Sequence, residues 1–166
     1  MQSVSWNASL VSPLPEMASN YFIPGRAESS GRPGPFAHKD SSVAEEKPSA
    51  LVVDDVDDVT EMISLFLQHA GFKVLTADSA ENALNLARRQ SFDVVISDIG
   101  MPFMNGYELA EALRKLPDYR RVPLIAVTGY SMYDDRERAL QSGFDAHLIK
   151  PIDPSALLDL ITELRQ

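Results

Sequence analysis

The sequence predicts an α/β fold: a doubly wound five-stranded parallel sheet of strand order 2-1-3-4-5 with five helices, preceded by a disordered N-terminal tail. Three observations carry this reading. Residues 49–166 alternate short apolar runs with segments of helical period, five of each within about 118 residues. The central run Val94-Val95-Ile96-Ser97 has no polar alternation, as expected of a strand buried on both faces. Residues 1–47, by contrast, hold five of the 11 prolines, three of the eight glycines and nine serines, with no sustained period of 2 or 3.6.

The tail comes first in the chain. Its bulky residues, Trp6, Leu10, Val11, Tyr21, Phe22 and Ile23, could form a short docking motif that folds on a partner, although scattered apolar residues in such a segment usually have no specific role. Order is predicted from Pro48, which divides the chain into a tail, 1–47, and a domain, 48–166. The first strand is Ala50 to Val53, ended by Asp54-Asp55. A helix follows with apolar residues at Val59, Met62, Ile63, Phe66, Leu67 and Ala70, one face of a 3.6-residue period, and Gly71 is its stop. Lys73 to Ala77 is the second strand, and Ser79 can cap a helix containing Ala80, Ala83, Leu84 and Ala87.

The third strand, Val94 to Ser97, places Asp98 at its carboxyl end. Met101-Pro102 and Asn105-Gly106 mark the loop beyond it, and a helix from Tyr107 carries Leu109, Ala110, Leu113 and Leu116. Pro123 to Val127 is the fourth strand; a polar turn over Thr128 to Asp135 leads to a helix of about Arg136 to Ser142, closed by Gly143. The fifth strand is Ala146 to Ile149, and Asp153-Pro154 supplies the N-cap and first-turn proline of a last helix bearing Leu157, Leu158, Ile161 and Leu164.

Composition narrows the function. With 166 residues and 45% apolar content the chain can bury one good core. Its net charge of -9 falls mostly on residues 48–166, which hold 11 Lys/Arg against 19 Asp/Glu, and this argues against a nucleic-acid surface. No cysteine is present, so disulfides and thiolate metal sites are excluded. No apolar run approaches bilayer length and no secretory n- and h-region opens the chain, so a soluble, cytoplasmic protein with no membrane partner is expected.

In strand order 2-1-3-4-5 the first and third strands flank the topological switch point, where open α/β sheets bind ligands. The strand ends bring Asp54, Asp55, Asp98, Thr128 and Lys150 to one rim. Three carboxylates held together raise one another's pKa unless a cation neutralises them, and oxygen donors without Cys or His favour Mg²⁺. With such an ion present an Asp carboxylate can attack phosphorus, while Lys150 and Thr128 hold phosphoryl oxygens. Each residue also has a plainer reading: Asp55 or a neighbour as a helix cap, Thr128 as a turn residue, Lys150 as a solvated cation. Their joint placement on one rim is what the plain readings leave unexplained. Gly129, after Thr128, leaves room for a phosphoryl group, whereas Met101, Phe103 and Met104 read as loop packing.

Val52-Val53-Asp54-Asp55, the run from Ser97-Asp98 through Met101-Pro102 to Asn105-Gly106, Val127-Thr128-Gly129 and Leu148-Ile149-Lys150-Pro151 together resemble the receiver domains of two-component response regulators. The resemblance covers about residues 49–166 and none of the tail. It implies a flavodoxin-like fold and a signalling phosphoacceptor rather than an enzyme acting on other molecules. By the same resemblance Asp98 is the phosphoacceptor, and Asp54, Asp55, Asp98 and the backbone carbonyl of Gly100 are the Mg²⁺ ligands. Thr128 is the switch hydroxyl, Lys150 the phosphate partner, and Lys150-Pro151 a candidate cis bond.

The implied donor is a histidine kinase or a histidine phosphotransfer protein. The implied output is an unidentified protein at the face of the fourth helix, fifth strand and fifth helix, with homodimerisation through the last helices as a further option. Three positions depart from or qualify the pattern. His147 stands where receivers carry a Tyr or Phe whose ring follows the switch hydroxyl, and it could add pH sensitivity. Gly100 and Tyr130, two residues past Asp98 and Thr128, occupy positions that govern water access to the acyl phosphate, and slow self-dephosphorylation is expected. With no DNA-binding or catalytic output domain expected after the last helix, signalling is expected through protein contact or onward phosphotransfer. The alternative is the receiver portion of a hybrid histidine kinase. An aspartyl-phosphate phosphatase would want a second acid at Gly100, and a flavin module would find its phosphate repelled by Asp54-Asp55.

Overall fold

Alternating buried runs of four or five residues dictate a sheet sandwiched between helices, and the computed structural model, which describes residues 21–22, 46–129 and 133–166, has that architecture. In chain order the elements are β1 (Tyr21–Phe22), β2 (Ser49–Val53), α1 (Asp57–His69), β3 (Lys73–Ala77), α2 (Ala80–Ala87), β4 (Val94–Asp98), α3 (Gly106–Lys115), β5 (Leu124–Thr128), α4 (Tyr133–Gln141), β6 (Ala146–Ile149) and α5 (Pro154–Leu164), with a 3₁₀ turn at Pro117–Tyr119. The sheet order is β1-β6-β5-β4-β2-β3. Its five principal strands are parallel in the predicted 2-1-3-4-5 order. A sixth, β1, pairs antiparallel with β6, Tyr21 opposite Leu148 and Phe22 opposite His147.

The period of two along each strand divides the core between the two faces of the sheet. Leu51, Val53, Val95, Leu124 and Ala126 pack with Leu84, Leu109 and Leu113 on one side. Ala50, Val52, Ile96, Ile125, Val127 and Leu148 pack with Ile63, Leu67, Leu157 and Ile161 on the other. Such side chains contribute roughly 1.5–3 kcal/mol each when fully buried, and Leu51, Leu67, Ile96 and Leu109 are all essentially inaccessible. The caps are those the sequence advertises: the Ser79 hydroxyl accepts from Asn82 N–H, the Asp153 carboxylate accepts from Ser155 N–H with Pro154 following, and Gly71 adopts φ +94° past α1. Asn105 and Glu108 add a reciprocal capping box at α3.

Several boundaries differ from the expectation: β2 begins at Ser49 rather than Ala50, β4 extends to Asp98, and β5 begins at Leu124 rather than Pro123. β5 runs one residue further than predicted and includes Thr128, because the ladder continues to the Thr128–Ile149 pair. α4 begins at Tyr133 instead of about Arg136.

One fastening had no pattern in the sequence. Arg114 of α3 donates to the carbonyls of Gly143, Tyr119 and Val122 and to the Asp145 carboxylate, at 2.6–2.8 Å. That carboxylate also accepts from Leu124 N–H. The guanidinium thereby ties α3 to the starts of β5 and β6. It approaches so closely that a Cβ on Gly143 (φ +105°) would meet Arg114 Cγ at 2.8 Å.

Candidate functional site

Parallel strands all end on the same side, so the carboxyl ends of β2, β4, β5 and β6 deliver Asp54, Asp98, Thr128 and Lys150 to a single rim. Three of the four are held there out of water: Asp54 is 2% exposed, Asp98 7% and Thr128 4%. Lys150 is half-buried, and its ammonium bridges the carboxylates, donating to Asp54 Oδ2 at 2.6 Å and Asp98 Oδ1 at 2.7 Å. Charge-assisted hydrogen bonds of this kind are about twice as strong as neutral ones. The remaining carboxylate oxygens are also used: Asp54 Oδ1 accepts from Val56 N–H at 3.0 Å and Asp98 Oδ2 from Gly100 N–H.

Backbone geometry sets these positions. Ile99 N–H donates to Val127 and Lys150 N–H to Thr128, each carrying the parallel pairing past the end of the strand. The Lys150-Pro151 bond is cis, as expected. Gly106 N–H returns to the Ile99 carbonyl at 3.0 Å. A Cβ there would clash with the Asp98 carbonyl oxygen and lie 2.8 Å from Ile99 Cα, so only glycine lets α3 start this close to the rim. At Gly129 a Cβ would meet nothing within 4 Å, which leaves open space beside Thr128.

The electrostatics follow from burial and the shared cation. Burial pushes the Asp54 carboxyl above the ordinary carboxylate range, against the opposing pull of the Lys150 and Val56 hydrogen bonds, and the Asp98 charge pushes the same way as burial. For Lys150 burial acts downward, but the hydrogen bonds and charges of Asp54 and Asp98 outweigh it and leave its pKa raised.

Asp55 is the predicted site residue that stays apart: it is exposed, and among the described residues no three acids or histidines converge in a metal-ligating group. Nor does it cap α1, whose N-cap is Val56 without a side-chain bond. Gly100 stands at the rim, next in line after Ile99, with its N–H on Asp98. His147 lies in β6, 6% exposed, its backbone between Ala126 of β5 and Phe22 of β1. Tyr130 falls outside the described residues, as do Trp6, Leu10, Val11 and Ile23. Two features escaped the sequence reading. Phe103, expected to pack in the loop, is fully exposed (107%) with φ +66°, a conformation that bulky residues rarely adopt. The docking of Tyr21–Phe22 on β6 had a signal only in three adjacent bulky residues.

The fold and rim define a doubly wound α/β protein with two buried, lysine-bridged carboxylates at its switch point. The comparisons with known proteins narrow it. The model of the response regulator receiver domain matches residues 50–162, and the chain belongs to this family, part of two-component signalling. The chemotaxis protein CheY4 of Vibrio cholerae is similar in structure, with TM-score 0.69 and 33% identity over 72% of this chain and 99% of that one. The receiver domain of sensor histidine kinase PA1611 from Pseudomonas aeruginosa, solved with a magnesium ion coordinated in its active site cleft, matches at TM-score 0.68 and 28% identity, covering 72% of this chain and 98% of that one. Response regulator Rre1 of Synechocystis is 37% identical over 117 residues, 70% of this chain and 51% of that protein. The chain spans 86% of one relative but about half the length, or less, of others. No described helix is long and apolar enough to cross a membrane.

Proposed function

We propose that the chain is a signalling phosphoacceptor that takes a phosphoryl group from the phosphohistidine of a histidine kinase or phosphotransfer protein onto Asp98. The observation that supports this most is the Asp98 carboxylate, 7% exposed at the switch point and held by Lys150 and Gly100 N–H. An Asp98 oxygen forms the new bond to phosphorus as the phosphorus–nitrogen bond breaks, and the imidazole leaves with its electron pair and takes up a proton. Lys150, already within reach of Asp98, then pairs with a phosphoryl oxygen. Thr128 donates to another, in the space that Gly129 leaves open.

Mg²⁺ fits the donor set. Asp54 and Asp98 are hard oxygen donors close enough to share one ammonium, and this ion needs only one or two carboxylates beside its waters. When bound, it supplies positive charge that offsets carboxylate repulsion and the charge of the phosphoryl oxygens.

The change at Thr128 reaches β6 through the Thr128–Ile149 pair, where His147 serves as the switch ring, and the face of α4, β6 and α5 is read by a partner protein or a second copy of the chain. A place inside a hybrid kinase is the second reading, favoured by the likeness to a sensor kinase's receiver. The test is intact mass after incubation with acetyl phosphate. One phosphoryl group is expected on the wild type with Mg²⁺, and none without Mg²⁺ or on Asp98→Asn. A wild type that stays unmodified while binding Mg²⁺ overturns the assignment.

A further inference from the structure

The two edges of the sheet are protected differently. β3 opens with the exposed Lys73, and a charge on an edge discourages pairing with another chain. β6 has no such device: Ala146-His147-Leu148-Ile149 contains neither a charged residue nor a proline, and its first three residues are buried. Left open, this strand would present unpaired backbone on an apolar element. It is not left open, because Tyr21–Phe22 lies antiparallel along it. These belong to the one run of three consecutive bulky apolar residues in the tail, Tyr21-Phe22-Ile23, all good strand formers, bounded by Asn20 and Pro24-Gly25.

From this we propose that the outer edge of β6 is a strand-addition site whose resident occupant is the Tyr21–Phe22 segment of the same chain, and that any extended partner docking at this edge must first displace it. Recognition is through the main chain, as in other cases where a peptide extends a sheet. Lys150 N–H donates to Thr128 of β5 at 2.8 Å, so alternation along β6 turns the Leu148 N–H toward β5 as well and the His147 N–H, opposite Phe22, toward the outer edge. Reach is no obstacle. From β2 to β1 the sheet crosses β4, β5 and β6, about 19 Å at ~4.8 Å per strand. Residues 23–48 have a contour of roughly 85 Å at ~3.3 Å per residue. A two-residue ladder is weak by itself, but covalent linkage sets an effective concentration on the order of millimolar, against which a strand from outside must compete. The inference is separate from the phosphoacceptor reading, since it concerns the unphosphorylated chain.

The test is amide hydrogen exchange by NMR on the full chain, with His147 as reporter and Ile96 and Ile125 as internal controls of the fold. In Tyr21→Pro/Phe22→Pro, which removes the Phe22 donor and breaks the strand, His147 should exchange about tenfold faster, the loss of roughly one net hydrogen bond. The controls should be unchanged. Tyr21→Val/Phe22→Val, which preserves strand geometry, should keep the protection. A synthetic peptide of residues 17–26 added at millimolar concentration should restore protection in the proline variant and leave the wild type unaffected. Equal His147 exchange in all three proteins, with the controls intact, overturns the proposal, as does a peptide that binds wild type and proline variant alike.

Discussion

Replacing Lys150 by Met should unmask the cost of holding two carboxylates together. The ammonium bonds Asp54 and Asp98 at 2.6 and 2.7 Å, and those side chains are only 2% and 8% exposed, while that of Lys150 is 25% exposed. Breaking a fully buried ion pair from one side costs about 3–5 kcal/mol; access of water to a quarter of the lysine side chain lowers the expectation to about 2–3 kcal/mol, roughly a 30- to 150-fold loss in the folding constant. The loss should also depend on pH in a set direction. Burial already raises the Asp54 carboxyl, and removing the ammonium raises it further. A carboxyl whose pKa is higher folded than unfolded binds more protons in the native state, so stability falls as pH rises from near 3.8 to the raised folded value and is level above it. The variant's deficit is therefore largest near neutrality and shrinks toward pH 4. Urea unfolding followed by circular dichroism, without divalent ions, at pH 7 and pH 4 measures this. Asp54→Asn placed in the Lys150→Met background should recover more than half of the loss. A deficit below about 0.5 kcal/mol at pH 7, or one equal at both pH values, would refute the reasoning.

Gly106→Ala should destabilise the fold by about 2–3 kcal/mol and slow acetyl phosphate labelling, because the added Cβ meets the backbone of Asp98 and Ile99, which cannot move without shifting the rim; the measurements are a melting curve and a labelling time course. Tyr119, whose hydroxyl donates to the Gln90 carbonyl at 2.8 Å, has its pKa pushed up to about 12 by burial. The folded state thus keeps the phenolic proton after the unfolded chain begins to lose it, so stability should decline between about pH 10 and 12. Tyr119→Phe should lose about 1 kcal/mol at pH 7 and lack that part of the alkaline decline in pH-dependent unfolding. Phe103→Gly relieves a positive φ on an aromatic that buries nothing; even after the extra chain entropy of glycine, the melting temperature should hold or rise, by up to about 1 kcal/mol in stability.

Much of the domain was legible because its strands end abruptly. A run such as Val94 to Ser97 followed by Asp98 announces a buried strand and a rim residue at once, and helix caps such as Ser79 and Asp153 are chosen by local geometry that short segments encode. The start of α4 was less legible, since most of that helix is polar and its period faint. Among the site residues Asp54, Asp98, Thr128 and Lys150 could be placed on one rim because parallel topology converts strand ends into neighbours. That reasoning stops at the backbone. It could not tell that Asp55, adjacent to Asp54, would stay exposed, because a strand end points successive side chains in different directions.

What the sequence by itself determined was therefore whatever depends on local period, capping and strand order: the fold class, the register of apolar faces and the identity of the converging residues. Only the tertiary structure decided what depends on contacts between distant segments. Lys150 and Asp54 are 96 residues apart in the chain, and Arg114 and Asp145 are 31 apart. The strand at Tyr21–Phe22 reaches across the sheet to β6. No periodic pattern records such pairs, because a hydrogen bond or an ion pair is set by where two side chains or backbones meet in space. The exposed Phe103 at φ +66° belongs with them: a loop's path is fixed by the elements it joins, and the residue on it takes the conformation that path requires.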